Sequence, residues 1–346
     1  MKEKLIYIEN DHTDPHYNLA FEEYVFRNAG ELETGMDACP VLLLWRNEPS
    51  VIIGKYQNTI EEIDYDYIKD RGIHVVRRNT GGGAVYHDLG NLNYSFVIPE
   101  AETKLDFKTF TILVVKALNA HGVPAEQTGR NDILVDGKKF SGNAQQFSNH
   151  RLLHHGTIMF DVDTEAVAKA LRVKPGKLRS KAIKSVRSRV TNLKPYFDAA
   201  GEVDDTAGDV GDANAFKDLL LQWFLNEYDV TELELTESQL AEIETLRKQK
   251  YDTYDWNFGR SPKADIVRGE YFRCGYVEFH FAIKEHRIEE TRITGDFFPT
   301  GEIGELERAL EGCEYTPDAL REAFEDADLR SYFGDVTAEE LLKVIV

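Results

Sequence analysis

The sequence predicts an α+β protein: a large domain whose mixed β-sheets are flanked by helices, followed by a small α+β domain. Three observations carry that reading. Short apolar runs, hairpin turns and helical stripes intermix without a regular βαβ rhythm, which disfavours a doubly wound sheet. At 346 residues the chain is too long for one ordinary core and short for three domains. Charge divides it as well: the first two hundred residues are balanced, and the rest carry the whole net charge of −20.

Taken in order, Asp14-Pro15 reads as a helix N-cap followed by proline in the first turn. Tyr17, Ala20, Phe21, Tyr24 and Val25 then recur at helical spacing as one apolar stripe. Val41–Trp45 and Ser50–Ile53 read as buried strands with Asn47-Glu48-Pro49 turning between them. Residues 73–78 form another strand, ending in the glycine turn at 81–83, and residues 93–98 a further one, stopped by Pro99. A helix suits 107–121. Residues 133–135 and 139–141 pair as a hairpin across Asp136-Gly137, a favoured two-residue turn. An acidic, small-residue linker occupies 198–214, and helices follow at about 215–228 and 237–250. Residues 276–283 alternate apolar and polar, a polar turn spans 284–287, and a second strand runs to Ile293 before the closing helices.

Composition removes several classes. Cys39, Cys274 and Cys313 are odd in number, far apart and never C-x-x-C, so neither a disulfide framework nor a zinc knuckle is expected, and reducing cytosol fits best. The N-terminus lacks a secretory apolar core, and no segment approaches a membrane span of about 18 apolar residues. Residues 166–197 hold ten Lys or Arg and no acid. With pI near 5.0 the whole chain is a poor polyanion binder, so a local phosphate site is a better use of that run than nucleic acid.

The densest chemical signal is RRNTGGGAVYHDLGN at 77–91. Three successive glycines allow a backbone to lie against a ligand, and their N–H groups beside Arg78 suit a phosphate or carboxylate. The run is neither a Walker A loop nor G-x-G-x-x-G. A tight glycine turn between strands with surface arginines is the alternative. In the hairpin further on, side chains alternate, so Lys139 faces away from Lys138 and Phe140. An inward lysine can hold a carboxylate and a phosphate together; by spacing alone, two ordinary solvent lysines at a turn are the better-supported reading. Asp132 is a candidate magnesium ligand. His154-His155 do not read as a metal pair, since adjacent strand residues point to opposite faces; a structural histidine under the site is expected instead. The basic run contains KPGK at 174–177 and SKAIKSVRSRVTN at 180–192, which read as a loop ordered by an anion or as a solvated helix face.

LWRN at 44–47, GKYQN at 54–58, RRNTGGGAVYHDLGN, GRND at 129–132, KFSGNA at 139–144, HHGT at 154–157 and KSVRSRVTNL at 184–193 together resemble the bacterial lipoate–protein ligase A family, in that family's order. The likeness is dense over residues 10–195. WNFG at 256–259 resembles the junction before the family's C-terminal domain, implying a lipoate- and ATP-binding catalytic domain over 1–255 and a small accessory domain over 256–346.

The resemblance implies a two-step reaction. Lipoate attacks the α-phosphorus of MgATP to give lipoyl-AMP, and a carrier lysine then takes the lipoyl group. It further implies that Arg78 and the backbone of Gly83, Ala84, Val85 and Tyr86 bind the nucleotide phosphates. Lys139 would be the catalytic residue, touching lipoyl carbonyl and phosphate, with Asn131 and Asp132 at the AMP and Mg²⁺ end. Thr80, Gly81, Gly82 and His87 would join Lys139 around lipoate. Lys181, Ser185 and Arg187 would belong to a loop over the adenylate. Implied partners are lipoyl carrier domains, namely E2 subunits of 2-oxoacid dehydrogenases and the glycine cleavage H protein, in the cytoplasm. Competing readings are an octanoyl or lipoyl transferase using an acyl-cysteine, a biotin ligase, and a non-catalytic lipoate-binding protein. No cysteine sits among the motifs, RRNTGGG is not the basic loop of biotin ligases, and Arg78 and Lys139 are both present.

Overall fold

The computed structural model describes residues 2–32, 39–101, 105–129, 131–172, 189–201, 210–259 and 264–345. Its strands are β1 (Lys4–Tyr7), β2 (Val41–Trp45), β3 (Ser50–Ile53), β4 (His74–Arg77), β5 (Val85–His87), β6 (Asn91–Ile98), β7 (Ala125–Thr128), β8 (Asp132–Val135), β9 (Lys138–Ser148), β10 (Arg151–Met159), β11 (Asp229–Glu232), β12 (Ile266–Phe272), β13 (Gly275–Lys284) and β14 (Arg287–Gly295). They form an eight-stranded sheet ordered β11-β1-β2-β6-β10-β9-β8-β7, a small sheet β4-β3-β5, and the later sheet β12-β13-β14. Strand β1 runs parallel to both its neighbours, as β3 does to β4, while β6, β10 and β9 are antiparallel. The fold is therefore α+β with mixed sheets, as the irregular pattern predicts.

Strands β2 and β3 fall where the apolar runs place them and are buried throughout, on both faces. Helix Pro15–Asn28 starts at the expected cap, where the Asp14 carboxylate accepts the His16 N–H at 2.8 Å. Its apolar stripe is buried, but so are Asn18, Glu22 and Glu23. Those polar residues serve internal networks, which periodicity does not reveal. The stretch read as a linker from residue 198 is helical at its start, in Lys194–Gly201, and a second helix, Ala213–Glu227, begins just before its end. Helix Glu237–Leu246 passes into a π-turn, Arg247–Tyr251, rather than continuing to 250. Strands β1, β5, β7, β11 and β12 are absent from the sequence reading. They are short or, in β12, glycine-interrupted and largely exposed, so apolar alternation is weak in them.

The later sheet has its own core, in which Val277, Phe279 and Phe281 pack on Leu306, Leu320 and Phe324. The connection to it is tied back into the large unit by Arg77. That side chain is 0% exposed and donates to the carbonyls of Gly54, Gln57 and Trp256 and to Thr59 Oγ1, at 2.7–2.9 Å. Asn257 completes the joint by accepting the Arg77 N–H at 2.9 Å, and the Trp256 indole donates to Arg77 O at 2.8 Å. A buried guanidinium is tolerated only when its donors are met. Arg77→Leu strands several buried carbonyls at once and is expected to lower stability by about 3 kcal/mol or more, with Arg77→Lys recovering little because an ammonium cannot reproduce the planar fork. Urea unfolding of the two variants against wild type checks this.

Candidate active site

The glycine turn joins β4 to β5, and the residue after Arg77 shapes it from inside. Arg78 is 5% exposed, and its guanidinium bonds to Thr80 Oγ1 (2.9 Å) and to the carbonyls of Ile52 (3.2 Å), Gly81 (2.7 Å) and Gly83 (2.9 Å). Burial lowers its pKa to about 10 against the opposing pull of Glu22, so it stays charged at neutral pH. Behind it runs a buried chain. Thr80 Oγ1 meets His155 Nε2 at 2.8 Å, His155 Nδ1 meets the Glu22 carboxylate at 2.9 Å, and Ser95 Oγ donates to Glu22. Arg78 is thus the strut of the loop, and it also lines the cavity.

His87 is held by a relay of amides. Asn10 donates to Asn18 and Asn18 to Asn47, each at 2.9 Å, and Asn47 Nδ2 then faces His87 Nδ1 at 3.0 Å. Since the Asn47 oxygen is already accepting, its NH₂ must donate, and the His87 proton sits on Nε2. Burial, with Arg78 second, pushes the His87 pKa down to about 3. His87 is thus a neutral donor, and its Nε2 has no hydrogen-bond partner among the described residues.

The hairpin forms as expected. Asp136 and Gly137 both take positive φ, at 50° and 71°, as a two-residue turn requires. Strand β9 then carries Phe140 into the core and Lys139 towards the site. The Lys139 ammonium lies 2.7 Å from Asp132. Its aliphatic end passes directly over Gly142, where a Cβ would stand 3.0 Å from Nζ. Asn131 is bonded to the Asn143 backbone at 2.8 Å, which braces the start of β8. Lys138 is exposed.

These parts line one cavity of about 370 Å³. Leu19, Trp45 and Ile52 supply apolar surface, and Lys139, Asp132 and Asn131 supply polar surface. Of the residues implied from sequence, Arg78, Gly82, Gly83, Ala84, Val85, His87, Asn131, Asp132 and Lys139 line it. Thr80 and Gly81 stand behind the wall, and the Tyr86 ring turns away to pack with Val51 and Val162, where burial raises its phenol to about 12. Lys181, Ser185 and Arg187 lie outside the described residues. His154 is structural, stacked on Phe110 at 4.9 Å, whereas His155 on the opposite strand face lines the cavity. Sequence reasoning missed Asn93, Asn143, and Gly275, Asp296 and Phe298 from the later unit. The buried Glu22 was signalled only by two acids, Glu22-Glu23, inside an apolar helix. Among the described residues no group of three or more His, Cys, Asp or Glu could hold a metal by itself.

Residues 14–215 match the family described as the lipoyl protein ligase A/B catalytic domain, and residues 261–345 the bacterial lipoate protein ligase C-terminus. The lipoate-protein ligase LplJ of Bacillus subtilis is 42% identical, over 99% of this chain and 100% of that one. Among solved structures, Plasmodium falciparum LipL1 in complex with lipoate has a TM-score of 0.78 at 26% identity, covering 98% of this chain and 99% of that chain. A bi-partite lipoate protein ligase of Thermoplasma acidophilum, described with its E2 lipoyl domain, has 0.61 at 31%, covering 77% and 100%. A lipoate-protein ligase A bound with ATP has 0.60 at 29%, covering 75% and 100%.

The buried histidines make stability depend on pH with a definite sign. His87 and His154 both have folded pKa values depressed by burial, so below about pH 6.5 the unfolded chain gains protons that the folded chain refuses. Their contribution is full above that pH and falls as the pH drops below it, for His87 down towards about pH 3, at up to about 1.4 kcal/mol per pH unit for each ring. Urea unfolding at pH 7.5, 6 and 5 should show the loss, and ¹⁵N spectra should find His87 still neutral at pH 5.

Proposed function

This chain belongs to the lipoate–protein ligase family, and from that premise we propose how its cavity works as an ATP-dependent ligase, activating lipoate to lipoyl-AMP and transferring the lipoyl group to a lysine of a carrier domain. The observation that carries the reading is the convergence of the glycine loop, the Lys139–Asp132 pair and an apolar wall on one cavity. Leu19, Trp45 and Ile52 would take the acyl chain and dithiolane. The N–H groups of Gly83 and Ala84, which precede the β5 ladder, would hold phosphate oxygens.

Lys139 bridges the two substrates. Its ammonium draws the lipoate carboxylate and the α-phosphate together, and it offsets negative charge as the new C–O–P linkage forms and pyrophosphate departs. The ion pair with Asp132 keeps it extended across Gly142. Asp132 is a hard oxygen donor at the polar side of the cavity, and Mg²⁺ commonly takes only one or two carboxylates besides phosphate oxygens. Asp132, with Asn131 beside it, would therefore hold the cation, which neutralises charge on the triphosphate. In the second step the carrier amine attacks the mixed anhydride and AMP leaves. His87, neutral throughout, can donate to substrate oxygen without quenching the carboxylate nucleophile.

Carriers would be E2 lipoyl domains and the glycine cleavage H protein, met in the cytosol. No helix of the described residues is long and apolar enough to cross a membrane. The bonding of Trp256 and Asn257 to Arg77 supports drawing the boundary of the accessory domain after Gly259 rather than before Trp256. An acyl-cysteine mechanism has no support in the cavity, since none of the three cysteines lines it.

ATP–pyrophosphate exchange with lipoate, octanoate and biotin tests the reading, and exchange is expected with lipoate and not with biotin. Lys139→Ala should slow lipoyl-AMP formation by about a hundredfold or more, while the exposed Lys138→Ala stays near wild type. Near-normal adenylation by the Lys139 variant would falsify its assignment. Replacing Cys39, Cys274 and Cys313 together with serine should leave ATP-dependent lipoylation intact. Loss of transfer in that folded triple variant, with wild type working without ATP, would favour the transferase.

A further inference from the structure

The three glycines of the loop are not equivalent. A Cβ on Gly83 would meet nothing within 4 Å, so this position opens on the cavity. On Gly81 it would lie 2.3 Å from the carbonyl oxygen of Phe297, and on Gly82 2.6 Å from the Phe298 ring. Gly82 also has φ +88°, and its N–H points to Phe297 O at 3.4 Å. Two of the three glycines are therefore small because the later unit sits on them.

That contact is anchored. Phe297 is fully buried and stacked on Tyr56 at 5.3 Å, and the Gly295 N–H donates to Tyr56 O at 3.0 Å. Lys55 reaches Glu302 at 3.7 Å. Tyr56 thus belongs to the core of the later unit although it precedes the glycine loop in the chain. With Phe297 committed inward, Phe298 is left facing the cavity, edge-on to Phe107 at 5.6 Å, and lines it alongside Arg78, Gly82 and Lys139.

We propose that Phe298 is a specificity-determining residue of the activation site, supplied by the C-terminal unit and seated by Gly81 and Gly82, where it forms the wall against which the acyl substrate is held during adenylation. The proposal rests on the ligase reading given above. An aromatic ring over Gly82 narrows the cavity beside the loop that carries the phosphate donors. It limits the bulk of an acyl group there and holds the carboxylate end towards Lys139. Lipoyl-AMP is held by its nucleotide end as well as by its acyl end, so loss of this wall falls mainly on the free acid during activation.

The test measures both half-reactions on the full chain. Phe298→Ala should raise the KM for lipoate in ATP–pyrophosphate exchange about tenfold, with a smaller change in kcat, and should admit bulkier acyl acids. Phe298→Leu should recover most of the loss. Transfer from supplied lipoyl-AMP to an isolated lipoyl domain should stay at the wild-type rate. An unchanged KM and acyl preference in the alanine variant, or an equal fall in both half-reactions, overturns the assignment. If the alanine variant fails to fold by thermal unfolding, the leucine variant reads the same KM shift at about threefold. Wild type lacking lipoate-dependent exchange would sink the ligase reading itself, whereas wild-type exchange with silent Phe298 variants sinks the assignment alone.

Discussion

Two consecutive arginines, both withdrawn from water, hold this molecule's working parts in register. Arg77 ends one short strand and Arg78 follows it, and the two side chains reach different carbonyls. The first gathers the carbonyls of 54–57 and the segment at 256–257, and the second gathers those of the glycine loop. A guanidinium offers five donors in a rigid fork, so each arginine can fix several pieces of irregular backbone that have no ladder of their own. Burial makes the arrangement stringent, since an unmet donor there costs about as much as the bond contributes, or more. The loop's shape is thereby settled before any ligand arrives, which is what a preorganised anion site requires.

Charge is distributed accordingly. Groups deep in the site are neutral or balanced at a distance: His87 and His154 are kept uncharged by burial, and Glu22 answers Arg78 through His155 and Thr80. The mobile charge is left to Lys139 and Asp132, each 39% exposed by side chain. A partly solvated ammonium can change partners at modest cost, whereas a fully buried one could not release its carboxylate for a substrate.

Much of this was legible in the residues, and what was not has physical causes. Strands β2 and β3, the capped helix at Pro15–Asn28 and the Asp136-Gly137 hairpin are local facts, carried by runs of apolar residues and by turn chemistry. The glycine loop and Lys139 stood out by motif, and they line one cavity. For Arg78 the sequence shows a charge on the loop but not the carbonyls that the same side chain braces beside the cavity. Phe298 and Asp296 come from more than a hundred residues away along the chain, and no spacing rule connects them to the loop. Likewise Asn10, Asn18 and Asn47 look like ordinary surface amides until tertiary contact lines them up behind His87.

The short hairpin at Asp136-Gly137 bears on how such a chain can vary. Across the β8–β9 ladder, Leu134 pairs with Lys139 and Val135 with Lys138, and the register slips by one residue at Ile133/Leu134. Which lysine enters the cavity is therefore decided by a turn length and a single irregularity, not by the local identity of either side chain. Losing or gaining one residue here would exchange the inner and outer lysines and turn Phe140 out of the core, with no change in composition. Most surface turns tolerate indels; this one behaves as a counting device, in which the number of residues decides which charge reaches the cavity.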